Sequence, residues 1–134
     1  MAAIVITEPD RKKLERLLDA LTSGSRANEA IDALEQELGR ARVVEPGDVP
    51  PDVVTMNSEL ELVDLDTREQ LRLRLVFPER ADVDEGRISV LAPLGLAVLG
   101  SRETEELEWP TPGRVRRLRI ERVIYQPEAA GDPA

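Results

Sequence analysis

The chain has no cysteine and no histidine, and Phe77, Trp109 and Tyr125 are its whole aromatic supply. Without thiols there is no disulfide, no thiolate zinc site and no cysteine nucleophile. Without imidazole, the usual base near neutral pH and the commonest metal ligand are gone. Three rings leave little material for a stacking surface. An excess of positive charge is missing too: the net charge is -9, with 7 basic and 10 acidic side chains in residues 1–49 and 11 and 17 in the remainder. That balance argues against wrapping nucleic acid by phosphate neutralisation and fits solubility or contact with basic protein surfaces. Long apolar runs are absent; Ala2 to Ile6 is too short for a secretory signal and no window approaches a membrane span, so the expectation is a cytoplasmic protein without membrane association.

What is present is 134 residues, 41% hydrophobic and 34% charged, enough for one compact core plus an appendage. Thr7 precedes Glu8, Pro9 and Asp10, so its hydroxyl can accept from the Asp10 backbone while Pro9 sits where a helix needs no donor. A helix starting there carries Leu14, Leu17, Leu18 and Leu21 on one face and ends at "TSGS", where Gly24 suits the left-handed cap. A second helix from about Ser25 places Ala27, Ile31, Leu34, Leu38 and Ala41 in a narrow seam. The two stripes predict an antiparallel hairpin, a rod of roughly 20 to 25 Å at 1.5 Å per residue; two helices of an ordinary helical domain are the alternative. So short a hairpin is marginal alone, and either the following domain braces it or another chain shares its seam.

Pro46, Gly47, Pro50 and Pro51 mark an extended linker over 46–52. Beyond it the apolar period changes to two. "VVTMNS" and "ELELVDL" read as strands, the latter with Leu60, Leu62 and Asp64 on one side; "QLRLRLVF" sets Leu71, Leu73 and Leu75 against Arg72, Arg74 and Val76. "RISVLAP" and "ELEW" are short strands, "PLGLAVLG" a short helix and "RVRRLRIERVIY" a long final strand. The expected class is α+β: a hairpin over 1–45, then an antiparallel sheet with one short helix over 53–127, and a loosely held tail over 128–134 that begins within "QPEAAGDPA".

Two acidic clusters, Asp82, Asp84, Glu85 and Glu103, Glu105, Glu106, Glu108, lack the spacing of a calcium loop and read as solvated turns. "PLGLAVLG" lacks the Lys and Ser/Thr of a phosphate loop. Arg114, Arg116, Arg117, Arg119 and Arg122 fall in one strand and divide between its faces, either pairing with acidic strands or facing an acidic partner.

A helical hairpin joined through a proline linker to such a sheet resembles the bacterial Gre transcript-cleavage factors. "VVTMNSELELVDL" (53–65) is similar to the first strands of their carboxyl-terminal domain and "ISVLAPLGLAVLG" (88–100) to their proline-leucine-glycine segment and helix. "LEWPTPG" and "IERVIYQPEAAGD" resemble the branch of regulators of nucleoside diphosphate kinase. The resemblance spans Ile4 to Asp132. It implies an FKBP-like second domain, a coiled-coil hairpin, bacterial RNA polymerase as partner, and a hairpin that enters or occludes the secondary channel. No cofactor of its own and no sequence-specific nucleic-acid contact are implied. In cleavage-active relatives an acidic pair at the hairpin tip helps hold a magnesium ion at the polymerase active site. Here the tip "LTSGSR" carries no acid, Asp19 and Glu29 lie about a turn back, and the hairpin is shorter. The resemblance thus implies binding without cleavage, not catalysis, in competition with other Gre factors.

The implied tip contacts are Asp19, Ser23, Gly24, Arg26 and Glu29, and those of the sheet domain are Met56, Asn57, Ser58, Pro93, Leu94 and Gly95. Met56, Asn57 and Ser58 have a second reading, in which Met56 fills core and its neighbours satisfy backbone at the turn into the domain. Two further functions stay open. A prolyl isomerase on the FKBP-like fold needs an aromatic pocket from Phe77, Trp109 and Tyr125, and direct binding to a metabolic kinase is suggested by the branch name alone.

Overall fold

The computed structural model describes residues 4–22 and 29–131, without the side chains of residues 22, 29, 30, 110 and 111. Ser23, Gly24, Ser25, Arg26 and Ala27 of the expected tip and second-helix start, the Glu29 side chain and the last three residues lie outside what is described.

Strand β1 (Val5–Thr7) runs into helix α1 (Glu8–Thr22), and Thr7 Oγ1 accepts the Asp10 N–H at 3.3 Å as the spacing predicted. Helix α2 (Glu29–Arg40) returns the chain to strand β2 (Arg42–Val44). Leu14 and Leu18 of α1 and Ile31 and Leu34 of α2 are buried, with Leu17, Leu21 and Leu38 partly so.

The base of the hairpin is closed by a feature the sequence does not announce. β1 and β2 pair in parallel, Val5 opposite Arg42 and Thr7 opposite Val44, with the helices as the crossover that parallel pairing requires. Three-residue strands are too short to display a period. The helical seam also does not stop at the partner helix. It is continuous with the main core, so that Leu14, Leu18, Ile31 and Leu34 share one cluster with Met56, Leu60, Leu75, Val98, Leu99 and Ile120. The following domain braces the hairpin.

The main sheet has the order β5-β4-β3-β7-β6, built from β3 (Glu59–Asp64), β4 (Gln70–Val76), β5 (Arg87–Ser89), β6 (Glu106–Thr111) and β7 (Arg114–Tyr125). Helix α3 (Pro93–Val98) buries Leu94, Gly95 and Val98. A side chain at Gly95 would run into the Ser89 carbonyl. Gly100 combines a φ of +76° with close approach to Ile4 of the hairpin base.

Three expectations need correction. The sheet is mixed, because β5 pairs with β4 in parallel, Leu75 opposite Ile88; the two 3-10 turns Pro78–Arg80 and Val83–Glu85 carry the chain back far enough for it to do so. "VVTMNS" is not a strand. Val53 makes a single bridge to Arg102, and the chain then turns through Asn57 at φ 68°. Its N–H groups go to Ser101 O from Val54, Ser58 Oγ from Thr55, Asp10 Oδ2 from Met56 and Leu75 O from Asn57, a buried turn satisfied from four directions. Nor is "QPEAAGDPA" loose at its start. Gln126 is 3% exposed and donates through Nε2 to Pro50 O and Val53 O, both at 2.8 Å, before the short helix α4 (Pro127–Ala130). Gln126 thus ties the end of the linker and the first residue of the domain to the C-terminal segment.

Candidate protein-interaction surface

The hairpin meets the sheet domain at a polar joint. Asp10, 1% exposed, accepts the Met56 N–H through Oδ2 at 3.1 Å, while its Oδ1 is buried without a hydrogen-bond partner. Burial pushes the Asp10 carboxyl up to about 6; the Met56 N–H opposes this and the nearby Glu128 charge adds to it. Thr55 Oγ1 donates to Glu128 Oε1 at 2.7 Å and shares a hydrogen bond with Ser58 Oγ at 2.9 Å, so α4 closes the same joint.

Beside the joint lies a groove of about 810 Å³ between α1 and the sheet. Lys13 lines it from the helix, Arg74 and Phe77 from β4 and its end, Arg80 and Asp82 from the connecting turns, Arg87 from β5, Tyr125 from β7, and Asn57 from the turn. Arg74 is fixed there. Its guanidinium stacks over the Tyr125 ring at 5.2 Å, donates to Asn57 O at 3.2 Å and pairs with Glu59 at 3.1 Å. Burial works against ionisation of Glu59, yet Arg72 and Arg74 together hold its carboxyl below the usual range.

The arginines of β7 are spent on neighbouring acids, as one of the two sequence readings has it. Arg122 pairs with Glu61, Arg117 with Asp66 and Arg119 with Glu121. Arg116 is half-buried between Asp64, at 2.8 Å, and Glu69, with its guanidinium over Trp109. The N–H groups of Thr67 and Asp66 and the guanidinium of Arg116 hold the Asp64 carboxyl down at about 2. The acidic clusters serve as turn structure: Asp82 caps Asp84 N, and Glu103 accepts the Val123 N–H at 2.8 Å. Among the described residues no group of acids is arranged to hold a metal ion.

The sheet-domain candidates separate by burial. Met56 is core, Ser58 is 0% exposed with its hydroxyl turned to Thr55, and Leu94 and Gly95 are buried under the sheet; Asn57 and Pro93 reach the surface. At the other end, Asp19 is exposed on the last turns of α1. Lys13, Arg80, Arg87 and the Asp10 joint were not singled out from the sequence. The one local signal for the turn was Asn57, a residue type that tolerates left-handed φ.

A helical hairpin clamped at its base to a five-stranded sheet with one covering helix is the architecture of Gre-type transcription factors. The chain belongs to the GreA/GreB transcription elongation factor family: residues 49–125 match the family described as "Transcription elongation factor, GreA/GreB, C-term", and residues 3–44 match that described as "Rnk N-terminus". It is 37% identical over 130 residues to the regulator of nucleoside diphosphate kinase of Escherichia coli K12, covering 96% of this chain and 94% of that one. The solved structure of a transcription elongation factor GreA/GreB from Nitrosomonas europaea superposes with a TM-score of 0.80 at 41% identity, over 93% of this chain and all of that one. The transcription elongation factor GreA of Syntrophobacter fumaroxidans is 39% identical over 90 residues, 67% of this chain but 58% of its own length.

Proposed function

We propose that the protein is a regulator that binds bacterial RNA polymerase, its hairpin of residues 1–45 entering or occluding the secondary channel without transcript cleavage. The observation that carries the proposal is the clamped hairpin in a chain of the GreA/GreB family: parallel β1–β2 pairing, the Asp10–Met56 bond and a shared core hold a short finger at fixed aim. A finger that must reach into a channel gains from such rigidity, since its ordering cost is met on folding rather than on binding.

The absence of cleavage follows from chemistry at the end of the finger. Metal-assisted hydrolysis needs carboxylates delivered beside the metal. The sequence from Ala20 to Asn28 contains no acid, and Asp19 and Glu29 flank that stretch. In this reading Asp19, Ser23, Gly24, Arg26 and Glu29 contact the channel wall, and Asn57 and Pro93 meet the polymerase surface over a frame of Met56, Ser58, Leu94 and Gly95. Other Gre factors would compete for the same channel.

Pull-down of core RNA polymerase by the full chain, repeated with Arg26→Glu, tests the proposal. Retention of polymerase by the wild type and its loss with the variant are expected; no retention by the wild type rejects it. The name of the Escherichia coli relative favours a second reading, direct binding to nucleoside diphosphate kinase, which co-purification with that kinase in the absence of polymerase would establish. An isomerase pocket is not favoured, because half of the residues lining the groove that holds Phe77 and Tyr125 are charged, and Trp109 stacks elsewhere under Arg116.

A further inference from the structure

We infer that the groove between α1 and the sheet docks an acidic polypeptide segment of a partner protein. Four cationic side chains, Lys13, Arg74, Arg80 and Arg87, converge on this one groove in a chain whose net charge is -9, against two carboxylates in its lining, Glu79 and Asp82. Arg74 and Arg87 pair with Glu59 and Asp82, as the guanidiniums of β7 pair with their neighbouring acids, whereas Lys13 and Arg80 make no ion pair among the described residues. Arg87 is held in place by Arg80 O at 2.9 Å and Asp82 at 3.4 Å, and Arg74 by Glu59 and the Tyr125 ring.

Two cations are thus pre-positioned, which lowers the ordering cost of a charged partner, and two more carry no ion pair among the described residues. The half-buried rings of Phe77 and Tyr125 give the segment apolar floor between its carboxylates. The net negative charge of the chain disfavours such a segment where cations do not cluster, and the charge pattern of the groove sets orientation as well as affinity. Separate carboxylates along an extended chain fit these donors better than a phosphate chain does, because Arg74 and Arg87 already spend N–H groups on Glu59, Asn57 O, Asp82 and Arg80 O. The groove is walled by the hairpin on one side and the sheet on the other, so an occupant touches both parts of the molecule. The inference does not depend on polymerase being the partner.

The test is fluorescence anisotropy of a fluorescein-labelled twelve-residue peptide of aspartate and glutamate with the full chain at low salt. The double variant Lys13→Glu/Arg80→Glu is compared with Arg68→Glu/Arg102→Glu, which changes net charge equally at exposed positions outside the groove. Thermal melts confirm that both fold. Binding by the wild type, weakened about tenfold or more by the groove variant and at most about threefold by the control, is expected. No binding by the wild type, an equal loss in both variants, or displacement by inorganic tripolyphosphate at a concentration well below that of competing unlabelled peptide would overturn it.

Discussion

Asp10 Oδ2 accepts the Met56 N–H at 3.1 Å, which ties the first turn of the hairpin to the turn that opens the sheet domain, and the second oxygen of the same carboxyl is buried with no partner. A charge held this way costs stability. The native carboxyl titrates at about 6 and an unfolded aspartate near 3.8, so between these values the native state binds a proton that the unfolded state does not. Stability therefore rises as pH falls from 7 through 6 and levels off near 4, by at most about 3 kcal/mol. Urea denaturation at pH 7.5, 6.0 and 5.0 should show this rise, and Asp10→Asn should abolish the slope in that window.

Asp64 acts in the opposite sense. Its carboxyl, held at about 2 by the turn N–H groups and Arg116, contributes stability that is fully present above about pH 4 and lost as pH falls toward 2. Acid unfolding of Asp64→Asn should begin from a lower stability at pH 7 and be less steep below pH 4 than in the wild type. Arg117→Ala, which removes an exposed pair to Asp66, should leave the acid limb unchanged.

Gly95 tests the packing of α3. With the Ser89 carbonyl where a Cβ would stand, Gly95→Ala must push helix and strand apart, at a cost of about 2 kcal/mol or more in urea unfolding. Gly39→Ala on the hairpin, with open space around it and a helical position, should be neutral or slightly stabilising.

Leu34 tests whether hairpin and sheet form one cooperative unit. It is 0% exposed within the cluster that also holds Val98 and Ile120. Leu34→Ala should cost about 2 to 5 kcal/mol and lower the melting temperature seen by helix ellipticity and by Trp109 fluorescence together. Separate transitions would mean that the finger melts on its own.

The elements legible in the sequence are those with enough residues to show a period. Leu14 to Leu21, Leu71 to Leu75 and the run from Arg114 to Tyr125 were readable, and so was the Thr7 cap, because each is determined by neighbours within a turn or two. β1–β2, the parallel β5 and the Gln126 clamp were not. Each is made by contacts between residues far apart in sequence, such as Gln126 with Pro50, and leaves no local pattern. The groove was hidden for the same reason, since Lys13, Arg74, Arg87 and Tyr125 come from four elements and each alone is an ordinary surface residue. The turn at Asn57 was legible as one of two readings of that residue, and its left-handed φ accords with the turn.

The central claim, a finger that occupies the polymerase channel without cutting RNA, is tested most directly by transcript length in stalled elongation complexes supplied with GreA and increasing amounts of this protein. The account predicts that GreA-stimulated shortening is progressively suppressed and that the protein alone shortens nothing. Shortening unaffected at saturation, or shortening by the protein alone that Asp19→Asn abolishes, would contradict it.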